Sequence, residues 1–185
     1  MSAKWAEKLT RWRPYESEDR IYDLSHVHPF RYTLTLAAMP NHAAREVEVR
    51  IGFSSHTFTV GCEPPDVAHL HYSRPNDPRK FCPERYELSK RLQDIMRNLE
   101  HRKCFFTNYK NYFVVELPET LAAGFEYWVF FDVRNVGERD AVLIFVESAY
   151  VGDATKTPYR SRREKVGFKV LVNKALQNQR PKPPP

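Results

Sequence analysis

The sequence predicts an α+β fold: an antiparallel β-sheet meander packed against one helix, with an additional N-terminal β-hairpin. Three observations predict it. Residues 84–102 place Leu88, Leu92, Ile95, Met96 and Leu99 on one stripe at helical spacing. Three apolar runs of β type follow, at residues 112–117, 125–136 and 140–150, and then a short basic run at 165–172. Ahead of them, residues 30–36 and 47–53 alternate apolar and polar side chains, as strands with one wet face do.

Taken in order, residues 1–18 read as a peripheral arm. Trp5, Leu9 and Trp12 share one side of a short helix that Pro14 would stop. Residues 19–176 read as a single α+β domain. Its hairpin sets Phe30, Tyr32, Leu34 and Leu36 against Val47, Val49, Ile51 and Phe53, with Pro40 and Asn41 in the connection. A further strand is expected at residues 57–60, after a bend at Ser54 and Ser55. Residues 62–83 are irregular, with prolines at 64, 65, 75, 78 and 83. A connection of that length inside a domain is functional or disordered.

Pro83 suits the first turn of the helix. In residues 125–133, Tyr127, Val129, Phe131 and Val133 alternate with Trp128 and Phe130. In residues 141–150, Val142, Ile144 and Val146 alternate with Leu143 and Phe145. Strands apolar on both faces belong at the centre of a sheet, covered on both sides. Asn135 and Gly137 supply turn chemistry between them. Residues 155–164 form a cationic loop, and residues 177–185 a flexible, Pro-rich tail.

Composition narrows the classes. An apolar fraction of 42% over 185 residues supplies a sizeable core. The longest apolar runs fall far short of the roughly 20 residues that span a bilayer, and the first residues carry no apolar core of the signal-peptide kind. Three cysteines without framework spacing fit a reducing compartment. The expectation is a cytoplasmic protein without a membrane partner. A net charge of +6, much of it near the C-terminus, makes a phosphate backbone the expected partner. There is no glycine-rich phosphate loop, no Gly-x-Ser-x-Gly elbow and no His-Glu-x-x-His, which argues against ATPases, dehydrogenases and serine hydrolases.

The run from Phe125 to Val136, a turn, and the run from Ala141 to Tyr150 resemble the strand pair of RelE/ParE-type toxins and the wider barnase-like ribonuclease fold. In that family a helix precedes an antiparallel sheet whose late strands lead into a cationic loop. The resemblance covers the second half of the chain only, and the long N-terminal hairpin has no counterpart in it. It implies a toxin-like endoribonuclease, with an antitoxin as a protein partner, and catalytic groups in the late-strand region.

Metal-independent RNA cleavage needs a base, an acid and cations for the developing phosphorane charge. Among seven histidines, His56 is the leading proton-transfer candidate, at a bend between two strands. Tyr150, at a strand end, fits an acid or positioning role, and Arg160 in the following loop fits a phosphate clamp. Arg162, Arg163 and Lys165 extend that cationic face, while Tyr109 and Lys110 form a second nucleic-acid surface of aromatic plus cation. Each has a plainer reading, as a hydrogen-bonded strand histidine, a strand-end aromatic, solvated cations or a hairpin turn.

Cys62, His69, His71 and Cys82 make a Cys2His2 set, but without zinc-motif spacing, and His26 and His28 add only a lone His-x-His. No metal and no cofactor are expected. The functional expectation is a small basic RNA-directed protein acting as a metal-independent toxin-like endoribonuclease. The alternative is a non-catalytic nucleic-acid-binding or stress- or defence-related interaction protein.

Overall fold

The computed structural model describes residues 7–38, 43–62, 72, 77–107, 111–116, 121–156 and 165–182. Two short strands, β1 (Tyr15–Glu16) and β2 (Ile21–Tyr22), pair antiparallel after the N-terminal arm. β3 (Phe30–Leu36) and β4 (Arg45–Phe53) form the expected hairpin, with Phe30 opposite Ile51 and Leu36 opposite Arg45. A tight 3-10 turn at Ser55–Thr57 leads to β5 (Thr59–Gly61), which pairs with β6 (Arg79–Phe81). Then come α1 (Pro83–Ser89), α2 (Leu92–Arg97) and a 3-10 turn at Leu99–His101. The second half holds β7 (Lys103–Phe106), β8 (Tyr112–Glu116), β9 (Phe125–Asn135), β10 (Ala141–Asp153) and β11 (Lys165–Gly167), followed by α3 (Phe168–Leu176).

Seven of these strands make one curled sheet in the order β11-β7-β8-β9-β10-β4-β3. The expected all-antiparallel meander on one helix is overturned here. β4 lies parallel to β10, from Glu48 opposite Ala141 to Phe53 opposite Val146, so the sheet is mixed. The N-terminal hairpin is therefore not an addition. It completes the same sheet, and the chain between Phe53 and Ala141 carries β7, β8 and β9 of that sheet before β10 returns beside β4. The alternation in β4 reports a half-buried strand, but nothing in it reports direction or neighbour.

Two further elements differ from expectation. Residues 84–102 break into two short helices and a 3-10 turn instead of running as one helix. At the break, Ser89 donates its hydroxyl back to the Tyr86 carbonyl at 2.7 Å, a local bond that competes with helical continuation and bends the chain. Residues 165–172 make only three residues of strand before α3 begins. Phe168, Leu171, Val172 and Ala175 all bury, and their spacing of three, four and seven is helical.

Leu92, Ile95, Met96 and Leu99 are buried with Phe168, Leu171 and Val172 against the face of the sheet that carries Val49, Ile51, Tyr127, Val129, Phe131, Val142 and Ile144. The opposite face, one residue out of phase, carries a ladder of stacked rings across four strands. Phe105 meets Phe113 at 5.2 Å, Phe113 meets Phe130 at 5.5 Å, and Phe130 meets Tyr150 at 5.4 Å between centroids. The N-terminal arm crosses this same face farther along. Lys8 sits 3.7 Å above the Phe145 ring, and the Trp12 indole donates to the Phe53 carbonyl at 3.1 Å. Gly52 permits that crossing, since any Cβ there would overlap the Lys8 carbonyl.

Candidate functional site

β4 ends at Phe53 beside Val146, while β10 continues to Asp153. The last part of β10 therefore keeps β9 on one side and loses its strand neighbour on the other. The Ser55–Thr57 turn and α1 pack against that stretch. The sequence Ser54-Ser55-His56-Thr57 builds the turn from hydroxyls. Ser54 accepts from the His56 amide at 3.2 Å, Thr57 donates to the Ser54 carbonyl at 2.8 Å, and Thr59 donates to the Ser55 carbonyl at 2.7 Å. The backbone is fixed on both sides of His56, and its ring projects from a rigid bend.

Pairing of β5 with β6 then delivers Asp77 to that ring. His56 Nε2 and Asp77 Oδ2 are 2.7 Å apart. Arg79 holds the other carboxylate oxygen at 3.1 Å and anchors itself on Thr59, through Nε to Oγ1 at 2.7 Å and through a terminal nitrogen to the carbonyl at 3.1 Å. The side chains of His56 and Asp77 are 36% and 37% exposed, whereas that of Arg79 is 9% exposed. The pair is thus open to a ligand, and the arginine is a buried brace. Burial of Asp77 acts to raise its carboxyl, but the hydrogen bonds from His56 and Arg79 outweigh that and hold it below the ordinary range. A carboxylate only accepts, so Nε2 carries the proton of that contact, and the neutral tautomer that this selects has Nδ1 as its acceptor.

Arg85, from the first turn of α1, closes the site. It donates to the carbonyls of His56 and Thr59 at 3.0 and 2.9 Å, and its guanidinium lies 5.5 Å from the Tyr150 ring centre. Arg85 thereby touches both the His56 backbone and the Tyr150 ring. Arg160, Arg162, Arg163, Tyr109 and Lys110 lie outside the described residues. Lys165, on β11, is four strand positions from β10, or about 19 Å at the usual inter-strand spacing. Its ammonium sits 6.0 Å from the Phe105 ring centre. Asp77, Arg79 and Arg85 escaped the sequence reading. Asp77 and Arg79 fall in the proline-rich segment, where no periodicity signals a partner. Arg85 looked like any surface residue of an amphipathic helix.

The histidine and cysteine sets resolve differently. Cys62 hydrogen-bonds through its amide to the Pro78 carbonyl, and Cys82 through its amide to the Phe58 carbonyl. The two thiols therefore stand at opposite ends of the β5–β6 ladder, roughly 13 Å of strand apart, too far for one tetrahedral metal. His69 and His71 lie outside the described residues. His26 bonds Ser89 at 2.7 Å and His28 bonds the Trp12 carbonyl at 2.9 Å, which ties both into packing. Among the described residues, no cluster of three or more His, Cys, Asp or Glu could hold a metal ion, and no helix is long and apolar enough to cross a membrane.

Fold and site together define a mixed-sheet α/β protein with a carboxylate-braced histidine at the end of its parallel strand pair. Residues 14–176 match the YjaZ family, and the chain belongs to that family. It is similar to Protein YjaZ of Escherichia coli (strain K12), with 26% identity over 178 residues covering 92% of this chain and 96% of that protein. No solved structure matches it. The resemblance to RelE/ParE-type toxins is thereby corrected. The family match takes in the N-terminal hairpin that the resemblance left out, and the aromatic runs at β9 and β10 are what any doubly covered central strand pair requires. An antitoxin partner was expected only through that resemblance.

Proposed function

We propose that the chain is an RNA-directed basic protein in which His56 and Asp77 form the proton-transfer pair of a metal-independent phosphodiester cleavage. The observation that carries this reading is the 2.7 Å contact between His56 Nε2 and an ionised, arginine-braced Asp77, on a pair open to solvent. Asp77 fixes the tautomer and the ring plane, so Nδ1 is presented as a base towards the ribose 2′-hydroxyl. Arg85 bonds the His56 carbonyl and lies near the Tyr150 ring, and a cation and a phenol suit the phosphorane charge and the leaving oxygen. The net charge of +6 supplies long-range attraction for a polyanion.

The non-catalytic reading, binding of nucleic acid without cleavage, draws on a different observation. Arg79 and one terminal nitrogen of Arg85 are committed to internal carbonyls and a carboxylate, which suits a scaffold as well as a clamp. Incubation of the purified protein with total RNA in EDTA separates the two. Cleavage by the wild type, lost in His56→Ala and reduced in Asp77→Asn while RNA affinity is kept, supports the catalytic reading. RNA left intact by the wild type, with salt-sensitive binding, supports the second.

A further inference from the structure

The seven-stranded sheet ends differently at its two edges. β11 is three residues long and carries Lys165, and shortness and charge keep an edge from pairing with other chains. β3 has no such protection. It runs for seven residues, Phe30–Leu36, without a proline or a lysine, and no bulge breaks its register with β4. Beyond Arg31, the solvent-facing side chains of β3 are Thr33 and Thr35, β-branched as paired strands favour.

The direction of the free backbone groups follows from β4. Along a strand, successive residues aim their N–H and C=O to opposite sides. The Glu48 amide donates to the Asp140 carbonyl and the Ser54 amide to the Val146 carbonyl. Even-numbered residues of β4 therefore face β10, and odd-numbered ones face β3. Val49 is opposite Tyr32 and Val47 opposite Leu34, which commits the backbone of Tyr32 and Leu34 to β4. Arg31, Thr33 and Thr35 turn their N–H and C=O outward, and among the described residues no group is hydrogen-bonded to them.

Charge selects the strand that fits. On the exposed face Arg31 lies opposite Arg50, a like-charge pair, and its side chain is 77% exposed. Its ion pair with Glu48, at 3.5 Å, is diagonal and shared with Arg50. Glu46 lies opposite Thr35, exposed and, among the described residues, without an ion-pair partner. An antiparallel copy of β3 centred on Thr33 sets Arg31 opposite Thr35 of the second copy, with Glu46 of that copy one strand further on. Two inter-strand spacings, about 10 Å, separate the α-carbons of that arginine and glutamate, a gap their side chains span together. The two-fold axis repeats the contact at the other end. Every outward N–H then meets a carbonyl, and each Glu46 meets an Arg31.

We propose that β3 is a homodimerisation edge, pairing antiparallel with β3 of a second copy about a two-fold axis at Thr33 to make one continuous sheet. A single strand pair buries well under the roughly 800 Å² per partner of a standard interface, so the dimer is reversible and depends on concentration.

The test is sedimentation equilibrium of the full chain over about a thousandfold range of concentration spanning micromolar affinities. Wild type should pass from monomer to dimer and stop there, because the two-fold closes the edge. Thr33→Pro removes the central outward N–H without breaking a bond inside the sheet, as proline on an edge strand can. It should be monomeric throughout, with circular dichroism to check its fold; should it unfold, the charge variants decide alone. Arg31→Glu should weaken association about tenfold or more, since attraction becomes repulsion at both ends. The double reversal Arg31→Glu with Glu46→Arg should restore it. A wild type monomeric at every concentration overturns the second copy as the occupant and leaves the edge for a foreign strand. Dimerisation retained by folded Thr33→Pro places the contact elsewhere and overturns the proposal. A double reversal no tighter than Arg31→Glu overturns the two-fold register.

Discussion

At the scale of single residues, Gly152 illustrates how tightly the outer face is packed. The Trp128 ring lies over it, and any Cβ at position 152 would overlap that ring. Trp128 is also fixed by its indole, which donates to Glu126 at 2.9 Å, so it cannot swing aside freely. Gly152→Ala is expected to cost about 1–3 kcal/mol, as overpacking does, and to shift tryptophan emission. Gly61→Ala, with open space around its Cβ, is the control, and chemical denaturation compares the two. Asp77 gives a pH prediction. Its folded pKa is depressed, so its stabilisation is complete above the unfolded value of about 3.9 and is lost as pH falls through the lower folded value. Asp77→Asn should therefore be less stable than wild type near neutrality and indistinguishable from it in strong acid. A stability gap that stays constant with pH would refute the ion-paired role.

At the scale of elements, what the sequence disclosed and what it hid follow from the range of each signal. Leu88, Leu92, Ile95, Met96 and Leu99 announce a buried stripe because helical periodicity is local; the last four are buried and Leu88 is half-buried. Replacing Leu92 or Ile95 with alanine should cost about 2–5 kcal/mol, the range for emptied core positions, as read by denaturant titration. The same local signal existed for α3 in Phe168, Leu171, Val172 and Ala175, but three residues of real strand at β11 run straight into it. With β-branched Val170 and Val172 in the run, the helix looked like more strand. His56 was legible because a histidine between two strands, flanked by Ser and Thr, sits at a bend whatever the fold. Its partner was not. Asp77 reaches it only through the pairing of Val60 with Lys80, and no periodicity spans the gap between those strands. The parallel register of β4 with β10 was hidden for the same reason, since alternation marks a face but never a neighbour.

At the scale of the whole molecule, the parallel pair organises the site, and the proposed RNA partner can be tested through the charge. β4 enters from the N-terminal hairpin and stops halfway along β10, which leaves a notch beside β10 lined by the His56 turn and α1. Ligands of sheets containing parallel strands gather beyond the carboxyl ends of those strands, and His56 follows the carboxyl end of β4 by three residues (56 − 53). A polyanion drawn to this chain should feel both the notch and the cationic run of Arg160, Arg162, Arg163 and Lys165, four positive charges within six positions. Each phosphate contact releases condensed counterions, so the logarithm of RNA affinity should fall linearly with the logarithm of salt. Neutralising all four residues should weaken binding across unrelated RNA sequences and flatten that line by about three to four units of slope if every cation contacts a phosphate. His56→Ala, by contrast, should leave the salt slope unchanged, because it alters a proton acceptor and not the count of phosphate contacts. Filter binding over a range of potassium chloride concentrations measures both slopes. RNA affinity and slope unaltered by the quadruple neutralisation would remove the cationic run from the binding surface and leave only the notch to account for any affinity observed.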